Sequence, residues 1–128
     1  MKYLSFVSSL CFFLLLAVQA QAQGELGSST QLTTEAALTT EVFMVYGNCG
    51  MCERRIERTL TGVEGISAAD WNVDTKMLTV AYADGVITLD AIKEKLAAVG
   101  HDTDKFRASQ EVYDKLPGCC QYERPEAN

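Results

Sequence analysis

Three short stretches of the chain have the residue pattern of β-strands. Residues 42–46 are apolar at every position, as in a strand with two apolar faces, whereas apolar and polar residues alternate along residues 69–73 and 78–82. Residues 74–76 (Asp-Thr-Lys) separate the second stretch from the third and favour a turn between them. We therefore predict a first strand that is followed, later in the chain, by an antiparallel hairpin.

Two further stretches repeat their apolar residues every three or four positions, which is typical of amphipathic helices. The first covers residues 53–60 and the second covers residues 89–99. Thr88 is placed to cap the N-terminus of the second helix, and Gly100 is placed to end it. The pattern thus predicts one helix after the first strand and another after the hairpin.

A short strand over residues 103–107 would complete the series β-α-β-β-α-β, which is the split βαβ or ferredoxin-like arrangement. We predict an α+β fold in which two helices cover one face of a four-stranded antiparallel sheet. The predicted core consists of Trp71, Leu78, Val80, Ile92, Leu96 and Phe106.

Residues 1–22 have the features of a secretory signal peptide. Lys2 precedes the almost wholly apolar stretch 3–20, and a small-x-small cleavage pattern ends at Ala22. We predict cleavage there, a periplasmic or secreted location, and no stable membrane insertion after cleavage. An uncleaved membrane anchor is the alternative. Residues 23–40 are rich in Ser, Thr, Gln and Gly and are predicted to form a flexible linker.

The charge of the chain limits its partners. The formal charge is −6, and it becomes −7 when the single positive charge of Lys2 is removed with the signal peptide. An acidic chain without a basic stripe argues against nucleic acid as a partner. The length that remains is enough for one small domain and not for two.

Cys49 and Cys52 lie where the first strand gives way to the first helix. The positive end of a helix dipole favours thiolate over thiol at this position. Two thiolates at this spacing can share one soft metal ion. The alternative is a redox or structural disulfide, because exported Cys-x-x-Cys pairs do oxidise. The pair favours a metal site.

Residues 41–107 resemble the heavy-metal-associated domain of copper chaperones, copper-ATPase N-terminal modules and periplasmic mercury-binding proteins. The resemblance rests on the Cys49-x-x-Cys52 motif between strand and helix, on Gly65 ahead of the second strand and on Gly100 after the second helix. It implies the same β-α-β-β-α-β fold. It also implies that the two cysteines carry Cu(I), Hg(II) or a related soft ion.

The chain departs from the usual pattern of this family at two places. The family usually has Gly-Met-x before its first cysteine, whereas Gly47 stands here in the Met position and Met51 lies between the cysteines. Many members have Tyr or Phe after the glycine that follows the second helix, whereas Gly100 is followed here by His101. The resemblance places His101 close to the site and makes it a candidate third ligand.

Residues 108–128 form a tail that contains the adjacent pair Cys119 and Cys120. These two cysteines could form a disulfide with each other or with another thiol, or they could bind a soft metal. If the tail folds back, they would join Cys49 and Cys52 in a site of three or four sulfurs. Four sulfurs are the ligand count of a structural zinc site.

From these observations we predict an exported carrier or scavenger of a soft metal, and not an enzyme. It would hold Cu(I), or else Hg(II) or Zn(II), between Cys49 and Cys52 and pass it on by thiolate exchange. Its transient partners would be membrane metal transporters or other metal-binding domains. Arg54, Arg55 and Arg58 form a basic helix face beside the loop, either for docking an acidic partner or as an ordinary solvated face.

Two other classes of protein remain open. A small thiol-disulfide oxidoreductase would use Cys49 and Cys52 as a redox couple. However, thioredoxin-like enzymes need a proline that faces the cysteine pair, and the only prolines, Pro117 and Pro125, lie in the tail. A structural secreted module would instead be stapled by two disulfides.

Overall fold

A computed structural model describes residues 37–126. Three strands, β1 (Leu38–Met44), β2 (Ile66–Trp71) and β3 (Met77–Ala83), form one antiparallel sheet in the order β1-β3-β2. β2 and β3 are consecutive and pair directly, with Trp71 opposite Leu78, so the predicted hairpin is confirmed. The predicted signal peptide lies outside the described residues.

Four helical segments accompany the sheet. α1 and α2 are the two predicted helices, and α2 is followed by two short segments in the tail. Within residues 37–126, no helix has the length and apolarity needed to cross a bilayer. The segments are α1 (Gly50–Leu60), α2 (Leu89–Ala98), α3 (Gln110–Asp114) and a 3₁₀ turn (Gly118–Cys120).

The ends of α2 follow from local chemistry. The Thr88 hydroxyl accepts a hydrogen bond from the N–H of Ala91 at 3.2 Å, which satisfies one of the unpaired donors of the first turn. Gly100 has a φ of +101°, a left-handed conformation that other residues adopt at a cost. Both predictions for this helix are confirmed.

The first strand begins earlier than the sequence pattern indicates. Leu38 pairs with Ala83, and Thr40 pairs with Ala81, in register with the rest of β1. Residues 38–40 therefore belong to the sheet and not to the linker predicted over 23–40. The strand extends because β3 is long enough to offer pairing partners to residues 38–40. The composition of the linker does not reveal this pairing.

The predicted fourth strand over residues 103–107 is wrong. Thr103 makes one isolated bridge with Val45, and the chain then turns. The N–H of Thr103 donates to the carbonyl of Phe106 at 2.8 Å, and its hydroxyl accepts from the N–H of Phe106 at 2.9 Å. Because these bonds close a turn, the segment cannot continue alongside β1. Phe106 is only partly buried and does not join the core, contrary to the prediction.

The hydrophobic core lies between the helices and one face of the sheet. Strand, helix and tail residues all contribute to it, and the tail supplies three members that the predicted core lacks. Five of the six predicted core residues are buried. The core cluster consists of Phe43, Val45, Cys52, Ile56, Leu60, Trp71, Leu78, Val80, Tyr82, Ile92, Leu96, Leu116, Cys120 and Tyr122.

Candidate metal centre

Cys49 and Cys52 lie at the N-terminus of α1. Cys49 is the residue that precedes the helix, and Cys52 lies in its first turn with its side chain fully buried. Their Sγ atoms are 3.8 Å apart. Cys49 remains partly exposed, so the pair has one buried sulfur and one that solvent can reach.

The loop before the helix is fixed by backbone hydrogen bonds. The N–H of Asn48 donates to the Sγ of Cys52 at 3.3 Å, and the N–H of Tyr46 donates to the carbonyl of Asp102 at 2.9 Å. Beneath the loop, the indole N–H of Trp71 donates to the carbonyl of Val45 at 3.0 Å. The buried ring of Trp71 thus anchors the end of β1 directly below the two cysteines.

The position of Cys49 activates its sulfur. Hydrogen bonding from the backbone of Cys52 is the main cause of a lowered thiol pKa at Cys49, and hydrogen bonding from the backbone of Met51 lowers this pKa further. Together they outweigh the opposing effect of burial and lower the pKa of the Cys49 thiol to about 7. A large fraction of Cys49 is therefore thiolate at neutral pH, which is the form that binds metals.

The tail brings two more sulfurs to this loop. The Sγ atoms of Cys49, Cys119 and Cys120 all lie within 4.8 Å of one another. Cys119 and Cys120 are separated by 3.9 Å between their sulfurs, and all four cysteines are free thiols. Cys49 also lies against the tail backbone, with its Sγ 3.5 Å from the carbonyl oxygen of Cys119. The structure thus brings Cys119 and Cys120 close to Cys49, which is itself paired with Cys52.

The two tail cysteines differ in environment. Cys120 is fully buried, and its burial, together with the neighbouring thiol of Cys52, raises its pKa well above the ordinary value. Cys119 is exposed, and its Sγ lies 3.9 Å from the Sδ of Met51, which is 42% exposed. The sequence pattern does not predict this contact between a thiol and a thioether. The one feature of the sequence that could have indicated it is the position of Met51 between the two cysteines.

His101 is fully buried and stacks on the ring of Tyr122. Its Nδ1 lies 2.8 Å from the carbonyl oxygen of Tyr46, so Nδ1 carries the proton and donates it. Its Nε2 is buried and has no hydrogen-bond partner among residues 37–126. Burial lowers the pKa of the imidazole. His101 does not belong to the group of close sulfurs, and its role as a ligand stays a prediction.

A basic groove lies beside the sulfurs. Arg54, Arg55 and Arg58 line it together with Met51 and Thr59, and its volume is about 310 Å³. None of the three guanidinium groups forms an ion pair with a carboxylate in the described part of the chain. The groove is therefore positively charged on a molecule whose net charge is −6.

Residues 42–102 match the family of the heavy-metal-associated domain, and this stretch contains the strand, the loop and the helix that hold Cys49 and Cys52. The chain contains a heavy-metal-associated domain. The tail with Cys119 and Cys120 lies beyond the matched residues. The predicted family is thus confirmed, and the match ends before the second pair of cysteines.

Two relatives of this heavy-metal-associated domain are copper proteins by name. The copper chaperone CopZ of Staphylococcus aureus is 27% identical over 66 residues, which cover 51% of this chain and 97% of CopZ. The copper-exporting P-type ATPase of Staphylococcus saprophyticus is 29% identical over 77 residues, which cover 60% of this chain but only 9% of the ATPase. CopZ, which is matched over nearly its whole length, is named a chaperone and not an enzyme, which supports the prediction of a non-enzymatic metal-binding protein.

Two solved structures share the architecture. The N-terminal domain of a potential copper-translocating P-type ATPase from Bacillus subtilis, solved in the Cu(I)-loaded state, has a TM-score of 0.50 and 26% identity, and the match covers 52% of this chain and 85% of that domain. Oxidized MerP from Ralstonia metallidurans CH34 has a TM-score of 0.50 and 23% identity over 53% of this chain and 96% of MerP. The second likeness shows the fold alone.

Proposed function

We propose that this protein is an exported carrier or scavenger of Cu(I) that holds the ion between Cys49 and Cys52. The observation that carries the proposal is the pair of sulfurs 3.8 Å apart at the N-terminus of α1, inside the part of the chain that matches the heavy-metal-associated domain. Export rests on the predicted signal peptide, and detection of the mature N-terminus after Ala22 would test it.

Release would proceed by thiolate exchange. A thiolate of the acceptor adds to the bound ion, a sulfur–metal bond to Cys49 then breaks, and a proton or the next ion takes the freed sulfur. No electron is transferred. Cys49 suits the role of first leaving sulfur because it is partly exposed, whereas Cys52 is fully buried.

Cu(I) is preferred over Hg(II) and Zn(II) because CopZ, the copper-exporting ATPase and the ATPase domain from Bacillus subtilis, each at least 25% identical, bear copper in their names. Soft thiolate ligands select Cu(I), and two sulfurs are enough for it. Hg(II) remains the second candidate from the sequence resemblance. Zn(II) is third, since structural zinc sites favour two spaced Cys-x-x-Cys pairs and the sequence has one.

The partner that we propose is a membrane metal transporter or another metal-binding domain with an acidic docking surface. Arg54, Arg55 and Arg58 form the basic groove next to Met51, at the exposed side of the loop. Opposite charges on two surfaces speed their encounter and orient it. Charge reversal of the three arginines should slow Cu(I) transfer to an acidic acceptor domain and reduce its salt dependence.

Competition for Cu(I) with a chelator, under reducing conditions, tests the function. Mutation of a residue that only supports a metal ligand lowers the metal affinity by about 10–100-fold. Removal of a ligand itself, by Cys49→Ala or Cys52→Ala, should therefore lower the Cu(I) affinity by more than about 100-fold. Gly85→Ala, at a distant turn with open space around it, is the matched control. Wild-type affinity in both cysteine variants, with their folding intact, would exclude the proposal. Insulin reduction by the metal-free protein would instead support an oxidoreductase.

A further inference from the structure

The tail of this chain docks on the segment that follows α2 through buried polar contacts. The hydroxyl of Tyr122 donates to the carbonyl of Gly100 at 2.8 Å and accepts from the N–H of Asp102 at 2.7 Å. Leu116 packs so closely on Gly100 that a Cβ there would lie 2.9 Å from it. The glycine that ends α2 is therefore also the place where the tail attaches.

A buried ion pair fixes the tail beyond Tyr122. Arg124 donates two hydrogen bonds to the carboxylate of Asp102, at 2.8 and 2.7 Å, and a third to the carbonyl of Ala108 at 2.6 Å. The exposed fractions of the two charged side chains are 9% and 1%. Paired guanidinium–carboxylate contacts of this kind fix geometry as well as position. The segment between Leu116 and Arg124 is thus held at both ends.

The 3₁₀ turn Gly118–Cys120 lies between these two attachments and next to the loop of the cysteine pair. The side-chain amide of Asn48 donates to the carbonyl of Gln121 at 3.2 Å. Cys120 is fully buried beside Cys52, and Cys119 faces Met51 at the surface. The turn therefore places one sulfur inside the loop and one at its rim.

The spacing of the sulfurs suits a shared ion. Sulfurs that bind one ion at about 2.3 Å lie about 3.8–4.0 Å apart in a trigonal or tetrahedral site, and about 4.6 Å apart in a linear one. The observed separations are 3.8 Å between Cys49 and Cys52 and 3.9 Å between Cys119 and Cys120. Cys49, Cys119 and Cys120 together span no more than 4.8 Å.

We infer that Cys119 and Cys120 are ligands of the same ion as Cys49, so that the tail converts a two-sulfur site into one of at least three sulfurs. The inference rests on the proposed function and deepens it. The extra sulfurs lie outside the matched domain, which ends at residue 102. A docked tail keeps its thiols at high effective concentration, so it strengthens binding and slows release. The protein is then a store for a soft cation more than a rapid shuttle.

The test uses Cu(I) as the probe and the full chain in reduced form. Three variants are compared with the wild type. The first is Cys119→Ala/Cys120→Ala, in which alanine avoids burying a hydroxyl at position 120. The second is Cys49→Ala/Cys52→Ala. The third is Met51→Leu, which removes a rim sulfur but no thiol. Affinity comes from chelator competition, the sulfur count around copper from X-ray absorption, and folding from the midpoint of urea unfolding.

The tail variant should bind one Cu(I) with an affinity lower by at least about tenfold, and its sulfur count should fall from three or more to two. Met51→Leu should match the wild type. Equal affinity and equal sulfur count in the wild type and the tail variant would overturn the inference while leaving the proposed function intact. An equal loss in Met51→Leu would also overturn it, because the loss would not be specific to the thiols. Unchanged binding in Cys49→Ala/Cys52→Ala would instead remove the proposed function.

Discussion

Gly47 lies against the indole ring of Trp71. A Cβ atom at position 47 would come within 3.1 Å of two ring carbons of Trp71 and within 3.0 Å of the Cβ of Cys52. The space in which a side chain at position 47 would lie is thus already filled by the tryptophan. This contact explains why the chain has Gly47 where the family usually has methionine, since ring and side chain cannot both support the loop.

Gly47→Ala should therefore destabilise the fold. Its neighbours are a buried ring and the Cβ of a buried helix residue, neither of which can move freely, and overpacking of this kind costs about 1–3 kcal/mol. Urea unfolding of the metal-free protein measures the effect. Gly85→Ala is the matched control, because a Cβ there meets nothing within 4 Å, and its change should stay within about 0.5 kcal/mol. Equal stability of the two variants would contradict the packing argument.

Arg124→Gln should cost more stability than any surface charge substitution in the tail. Removing one partner of a buried ion pair leaves the other charge uncompensated, here that of Asp102, and typically costs about 3–5 kcal/mol. The control is Lys115→Gln, whose exposed pair with Glu111 lies in the same segment and is worth less than about 1 kcal/mol. Unfolding midpoints compare the two, and a difference below about 1 kcal/mol between them would refute the prediction.

Lowering the pH should destabilise the protein through His101. Burial lowers the pKa of this imidazole in the folded state, so the unfolded chain takes up the proton first. Nearby Arg55 also lowers the pKa, whereas the hydrogen bond to the Tyr46 carbonyl and the charge of Asp102 raise it. The stabilising contribution is complete above the unfolded pKa of about 6.5 and is lost as the pH falls from there toward the folded value.

The measurement for His101 is the free energy of unfolding between pH 8 and pH 5. His101→Phe keeps the ring but has no titrating group, so its stability should fall less below about pH 6.5 than that of the wild type. The wild type should lose up to about 1.4 kcal/mol more per pH unit over the titration. Parallel curves for the two proteins would show that His101 does not titrate differently on folding.

Cys49 should react with alkylating agents at a lower pH than an ordinary thiol. With its pKa lowered to about 7, half of the maximal rate should be reached near pH 7 in the metal-free protein. An ordinary cysteine thiol reaches half of its maximal rate at about pH 8.5, which is its pKa. Mass spectrometry of the modified peptides resolves the site. A midpoint at Cys49 equal to that of a model thiol would show that the helix backbone does not activate it.

Much of the fold could be predicted from the sequence where local pattern and chemistry decide. The apolar stripe of α2, the hydroxyl of Thr88 at its start and Gly100 after its end are all local signals, and they agree with the structure. The hairpin of β2 and β3 follows from alternation around the turn at 74–76. The motif at Cys49 and Cys52 is likewise local, and it indicates the family without any knowledge of tertiary contacts.

The tail and the fourth strand could not be predicted, because contacts between distant residues decide them. Residues 103–107 contain Thr103 and Phe106, two residue types that favour strands, but the hydroxyl of Thr103 closes a turn within the segment. The attachment of Tyr122 to Gly100 depends on a carbonyl that is exposed only by the end of α2. The sequence shows a second cysteine pair and leaves open where it lies.

Without a fourth strand beside it, β1 forms one margin of the sheet described for residues 37–126. Its outward backbone groups can accept a strand from another molecule, and Leu38 and Val42 are 63% and 54% exposed on this strand. Glu41, on the opposite face of the same strand, adds a negative charge to this margin. Crowding at high concentration would therefore drive self-association along this margin, and neutralising Glu41 would favour it.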